Sequence, residues 1–198
     1  MPKQSAAQTI GPYFAICLTP EIWGMEGIAS NTLRRSDTPG EHIRIEGRVL
    51  DGEGVAVSDA LIEIWQANAA GRYRHPEDDR EELALDEGFT GFGRCRTDAD
   101  GAFSFETVKP GRVPGQGNRL QAPHVSLIVQ ARGMLSHAFT RFYFSDEEAA
   151  NEEDAVLASV EAARRPTLIA ARSETPDGIV YRLDIVLQGD EETVFFDA

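Results

Sequence analysis

His124 opens an apolar run, His124-Val125-Ser126-Leu127-Ile128-Val129, that leaves a Gly/Pro-rich loop beginning at Lys109. Reactive side chains are commonly mounted where a loop is held at the mouth of a rigid strand. An imidazole at that point is well placed to ligate a metal, and by the period of two the next residue on its face of the strand is Ser126. An iron or zinc site would need a second imidazole or a carboxylate there. The pattern is therefore the frame of a metal centre that lacks half its ligands. The other histidines, His42, His75 and His137, have no matched partners. Asp98-Ala99-Asp100-Gly101 suggests calcium, but if Gly101 held the sharp-turn position of an EF-hand loop, Arg96 would be the first ligand and Thr107 the last. That ligand chemistry fails, and the segment reads as a hairpin turn.

Composition narrows the remaining chemistry. A chain of 198 residues buries one sizeable core, which predicts one domain with an appended arm. The net charge of -14 disfavours nucleic acid and anionic membrane surfaces as partners, because like charge repels both. Cys17 and Cys95 form neither a disulfide framework nor a metal-ligand spacing. The N-terminal residues Gln4, Ser5, Gln8 and Thr9, followed by Gly11-Pro12, do not form the apolar region of a signal peptide, and no run is long enough to span a bilayer. The expected compartment is the cytoplasm.

The elements that must position the site follow from periodicity. Residues 1–41 carry four prolines (Pro2, Pro12, Pro20, Pro39) and little periodicity, so they read as an irregular arm that packs on a partner, with the folded domain over 42–198. Ile43, Ile45 and Val49 alternate with Arg44, Glu46 and Arg48 as in a strand buried on one face. Ala60 to Gln66 is apolar on both faces apart from Glu63, which the simplest reading puts at a half-exposed edge. Phe89 to Arg96 is ambiguous, Phe103 and Phe105 mark another strand, and His124 to Ala131 and Ala138 to Phe144 mark two more. The acidic run from Glu77 to Glu82 reads as a solvated loop. Ser145 with Glu148 suggests a capping box, and Arg164-Arg165 suits a helix C-terminus, so one or two short helices are expected between Ser145 and Arg172. Ile179 to Leu187 alternates as a single strand, and the Phe195-Phe196 tail is too apolar to be free, which predicts burial against a partner. The whole is an all-β pattern: a β-sandwich of about seven to nine strands with an irregular N-terminal arm and one or two short helices.

The stretch Ile45-x-Gly47-x-Val49, then Gly54, then Ile62-Glu63-Ile64, then six residues and Gly71-x-Tyr73, resembles the signature of the intradiol ring-cleavage dioxygenases. Thr9-Ile10-Gly11-Pro12-Tyr13, Pro39-Gly40-Glu41, Ile64-Trp65-Gln66-Ala67, Lys109-Pro110-Gly111, Ala122-Pro123-His124, Ala131-Arg132-Gly133 and Glu192-Thr193-Val194-Phe195-Phe196-Asp197 extend the likeness over nearly the whole chain. The resemblance implies a ferric site held by two tyrosines and two histidines, in which hard phenolate oxygens suit Fe(III). The first tyrosine matches Tyr73 and the first histidine His124. The second tyrosine falls at Val113, the second histidine at Ser126, and an arginine that stabilises the substrate's charge falls at Gln121. Valine offers no donor and serine only a neutral hydroxyl, so four ligands cannot be assembled.

What the resemblance implies is thus a subunit with no catalytic residues and no metal of its own, inactive alone, in a hetero-oligomer whose Fe(3+) lies in a catalytic sister chain. Thr9, Gly11, Pro12 and Tyr13 of the arm are expected to border the aromatic substrate in that chain's pocket, and Arg132 to meet the substrate's carboxylate. Two other readings are a divergent chain that binds a metal through Tyr73, His124 and a further ligand, and a transthyretin-like binding module acting alone.

Overall fold

The computed structural model describes residues 17–197. Its nine strands are β1 (His42–Leu50), β2 (Leu61–Trp65), β3 (Phe92–Arg96), β4 (Ala102–Val108), β5 (His124–Gln130), β6 (Ala138–Phe144), β7 (Ile169–Thr175), β8 (Gly178–Arg182) and β9 (Ile185–Val186). The hydrogen-bonded order is β3-β2-β5-β6-β7-β8-β1-β4, with β9 on β1. β7 turns the corner between two layers: it pairs parallel with β6 over only two residue pairs, Tyr143–Ile169 and Phe144–Ala170, and antiparallel with β8 over its length. The result is the expected all-β sandwich. Alternation drives it, since Ile43, Ile45, Ile62, Ile64, Phe105, Val125, Leu127, Val129, Phe142, Phe144 and Tyr181 all point into one buried core.

The open seam of the sandwich lies between β3 and β4, and the chain's own arm closes it. Arg94 N–H on β3 donates to Ser30 O at 3.0 Å, while on β4 Glu106 N–H donates to Asn31 O and Glu106 O accepts from Leu33 N–H, both at 2.8 Å. Leu33 enters the core. Unpaired edges of this kind invite unwanted strand addition, so covering them is a structural need. The last dozen residues of the stretch read as an arm therefore belong to the sandwich.

Three local expectations are corrected. Glu63 is not at an edge: β2 lies between β3 and β5, and Glu63 takes a hydrogen bond from Arg94 Nε at 2.7 Å on its outer face. No capping box forms, because Ser145 Oγ instead accepts from the Arg172 amide at 3.0 Å, and the helix α1 (Glu148–Glu153) has Glu147 at its N-cap without a side-chain bond. The short helices expected between Ser145 and Arg172 are α1 and α2 (Ala155–Ser159), the latter followed by a short 3-10 turn and then β7 from Ile169. Arg165 does serve the end of α2, donating to Ala158 O and Val160 O. The Phe195-Phe196 tail packs on its own chain: Phe196 N–H donates to Phe139 O at 2.8 Å, Phe195 joins the main core, and Phe196 joins a second cluster around Tyr143, Leu157 and Leu168.

The expected strand from Ile179 to Leu187 keeps its apolar face but its ladder breaks after Arg182. At the break the Asp184 carboxylate replaces a backbone acceptor, taking the Arg48 amide at 2.9 Å and its guanidinium at 2.8 Å. Gly47 makes the break possible, since a Cβ there would lie 2.0 Å from Leu183 O and 2.7 Å from the Phe103 ring. Gly47→Ala is therefore expected to lower stability by about 3 kcal/mol, the upper range for overpacking, as measured by chemical denaturation.

Candidate functional site

The site is built on the outer face of the sheet, opposite the core. Register sets Trp65 of β2, Ser126 of β5 and Arg141 of β6 in one row, with His124 opposite Tyr143 in the next. Because side chains alternate, all five share one face, while Val125, Leu127, Phe142 and Phe144 face inward. Two loops fold over this face, residues 66–91 carrying Tyr73 and residues 109–123 carrying Val113.

The loops are laced together at Gly71, whose φ of +80° lies in the left-handed region and whose missing side chain leaves room for Arg112 O; a Cβ would be 2.2 Å from it. Asn68 Oδ1 accepts the Ala70 and Arg72 amides, and Asn68 O accepts the Gly111 amide from the second loop. Asp78 then takes the Tyr73 amide at 2.8 Å and Arg80 Nε at 2.8 Å. Arg80's hydrogen bond holds the Asp78 carboxyl down at about 2, against burial, which acts the other way. The acidic run is therefore partly a structural clamp rather than a solvated loop. Tyr73 ends stacked on Trp65, with ring centroids 5.6 Å apart and planes 10° apart. Trp65, Tyr73, His75, Asp78, Val113 and Pro114 line a cleft of about 540 Å³.

Beneath the loops, His124 is 4% exposed and its Nδ1 lies 2.8 Å from Ala122 O. A carbonyl oxygen only accepts, so Nδ1 carries the hydrogen and Nε2 is the lone pair. Burial, followed by the charge of Arg141, holds the imidazole's pKa down at about 4. The Tyr73 phenol is pushed above its ordinary value by burial, with Arg141 and Arg80 pulling the other way. Tyr143 is likewise raised, first by burial and then by Asp154. Asp154 is fully buried: Oδ2 accepts the Ala122 amide at 2.8 Å, and Oδ1 accepts the Tyr143 hydroxyl at 3.2 Å and caps α2 through the Val156 and Leu157 amides.

Tyr73 and Val113 thus line one cleft over the face that carries His124 and Ser126, and Gln121 bonds to Arg141 on that face. These residues do not fit a ferric ion. Only His124 offers a lone pair of suitable kind; Tyr73 is a neutral phenol, Val113 is a buried hydrocarbon and Ser126 a neutral hydroxyl. Among the described residues no group of three or more His, Cys, Asp or Glu side chains could hold a metal. Arg132 is elsewhere. It follows the far end of β5, a strand about 20 Å long from His124 to Gln130, is 70% exposed, and pairs with Asp59 Oδ2 at 2.7 Å. Thr9, Gly11, Pro12 and Tyr13 lie outside the described residues.

Sequence reasoning missed Arg141, Tyr143, Trp65 and Asp154. Arg141 carried a signal, being the one charge in the otherwise apolar or neutral run Ala138-Phe139-Thr140-Arg141-Phe142-Tyr143-Phe144. Its Nη1 donates to Gln121 Oε1 at 2.7 Å, and the Gln121 amide donates to Val113 O at 2.8 Å.

A sandwich whose outer sheet face carries a partial tyrosine–histidine frame under two loops is the architecture of the intradiol ring-cleaving enzymes. Residues 20–189 match the family described simply as dioxygenase, and the chain belongs to that family. Along its length it is 46% identical to the protocatechuate 3,4-dioxygenase alpha chain of Burkholderia cepacia, over 98% of both chains. It is 34% identical to the beta chain of the same enzyme from that organism, over 84% of this chain and 72% of that one. Among solved structures, the dioxygenase domain of a dioxygenase and carbohydrate-binding fusion from Streptomyces sp. SirexAA-E aligns at a TM-score of 0.62 and 25% identity, covering 94% of this chain and 99% of that one. Among the described residues no helix is long and apolar enough to cross a membrane.

His124 also sets a pH dependence. The folded imidazole takes a proton only near pH 4, whereas the unfolded one does so near 6.5, so between those values the unfolded chain binds more protons. Stability is then full above about pH 6.5, falls as pH drops toward 4, and loses at most about 3 kcal/mol to this group. His124→Asn, which can keep the bond to Ala122 O, is expected to flatten the profile between pH 6.5 and 4.5 relative to the unaltered chain in denaturant titrations.

Proposed function

We propose that this chain is the alpha, non-iron-binding subunit of a protocatechuate 3,4-dioxygenase. The observation that carries the reading is a likeness to an alpha chain over the full length, combined with a metal frame that is intact in its strands and loops but empty of donors at Val113 and Ser126. The likeness to the beta chain supports a partner of the same family that keeps the donors. The complex cleaves 3,4-dihydroxybenzoate between its two hydroxylated carbons, and both atoms of dioxygen enter the product, 3-carboxy-cis,cis-muconate. This is a ring-opening step of aromatic catabolism in the cytoplasm, in the beta-ketoadipate pathway. Fe(3+), which the beta chain would hold, would supply Lewis-acid activation of the catechol there.

The role of this chain is to build part of the wall around that site. Arg132 suits this role because its guanidinium is exposed and lies well away from the chain's own relic cleft. A charge-assisted contact from Arg132 to the substrate carboxylate, with Thr9, Gly11, Pro12 and Tyr13 along the ring, orients the substrate without touching iron. The arm's surface fits burial against the beta chain, and higher oligomers of alpha-beta units follow from further contacts of this kind. Trp23 is 53% exposed and Ile28 94% exposed, with Ile22 and Met25 beside them, an apolar cluster in a chain of charge -14.

Purified alone, the chain is expected to be colourless and to lack the visible tyrosinate-to-iron absorption; stoichiometric iron with a red-brown colour would overturn the assignment. In the reconstituted complex, Arg132→Ala should weaken apparent substrate affinity about tenfold or more at unchanged iron content. Tyr73→Phe should leave turnover nearly untouched. Steady-state kinetics alongside metal analysis separates the two, and a silent Arg132→Ala with an inactive, iron-depleted Tyr73→Phe would reverse the roles.

A further inference from the structure

We propose that Arg141 is the resident cation of the relic site, replacing the metal's positive charge and excluding a metal even where ligands are available. The inference rests on the family's site geometry and not on the subunit role proposed above. Arg141 stands in register with Ser126 on the same outer face, flanked by Trp65 and by the His124–Tyr143 pair. Its guanidinium is fixed by Gln121 Oε1 at 2.7 Å, and Gln121 is tied in turn to the backbone of Val113. The residues at the four positions where the family's frame would hold a metal and a charged partner on this face, namely Val113, His124, Ser126 and Gln121, are thereby gathered about one side chain. Its charge is felt by Tyr73, His124 and Tyr143 alike. Among the described residues no carboxylate forms an ion pair with it, so that charge is not cancelled locally. A guanidinium stays protonated under all ordinary conditions.

This accounts for a physical difficulty. A site stripped of two donors but still holding a buried imidazole lone pair and a phenol would bind stray cations weakly. A permanent cation beside those groups opposes such binding. Loss of ligands and gain of Arg141 are then separate barriers, and restoring the first should not restore metal binding.

The test uses the full chain with its ligands rebuilt, Val113→Tyr with Ser126→His, compared with the same pair carrying Arg141→Gln or Arg141→Lys. Ferric iron is titrated and read by metal analysis and by the visible phenolate-to-iron band, with folding checked by circular dichroism. The Arg141→Gln form is expected to bind iron at least ~100-fold more tightly than the form retaining Arg141, since a unit charge a few ångströms from a trivalent ion outweighs that factor even in a water-like dielectric. Arg141→Lys should exclude iron as arginine does. Equal affinity with arginine and glutamine overturns the proposal, as does lysine behaving like glutamine or a folded Arg141→Gln form that binds nothing. Val113 is tightly packed, so the comparison is repeated with Ser126→His alone and Co(II) as the probe. The same order among arginine, lysine and glutamine is expected there, and its absence overturns the proposal equally.

Discussion

Asp154 is the constraint on which the outer half of the molecule depends. Its carboxylate, fully buried, receives the Ala122 amide, the Tyr143 hydroxyl and the first free amides of α2. Those donors come from a loop, a strand and a helix that also meet through the small cluster of Tyr143, Leu157, Val160 and Leu168. A buried carboxylate without such donors would be strongly unfavourable, so the three elements must arrive together or not at all. Ala122 is also the residue whose carbonyl orients His124. The second layer of packing and the geometry of the relic site are therefore one problem with one solution.

That dependence explains why the frame persists without its chemistry. The loops over the sheet are held by contacts that need no metal: Asn68 in the first turn, the Asp78–Arg80 pair behind Tyr73, the Gly71 approach to Arg112, and the stack of Tyr73 on Trp65. Val113 and Ser126 offer no strong metal donor, and this scaffold is satisfied without one. Val113 packs as an apolar residue, and Arg141 and Gln121 bond to each other across the gap. The face is an internally hydrogen-bonded polar patch that carries the Arg141 charge.

The two ends of β5 serve different purposes. At the His124 end the polar groups of the outer face lie under the loops, with His124 buried and Arg141 bonded to Gln121. At the Arg132 end the guanidinium is exposed and held only by Asp59. The seam between β3 and β4, which in an isolated sandwich would be an adhesive edge, is closed by Ser30 to Leu33, while the residues just before them present apolar side chains outward. Surface available to a partner thus lies along the arm and at the far end of the sheet, away from the relic.

The sequence by itself determined the sandwich and most of its strands. Period-two alternation in segments such as Ile43 to Val49 and His124 to Val129 is a direct image of burial, and a missing donor at Val113 or Ser126 is visible in the residue type alone. It also pointed to the family through motifs whose spacing reflects tight turns. What tertiary structure alone decided were the cross-strand relations. That Arg141 lies beside Ser126, that Asp154 and not Ser145 caps a helix, that Glu63 meets Arg94, and that Phe196 returns to Phe139 all depend on register and on loops closing in space. A local pattern carries the face of a strand on which a residue lies, but a partner tens of residues away is chosen by the packing of the whole chain, which no short window contains.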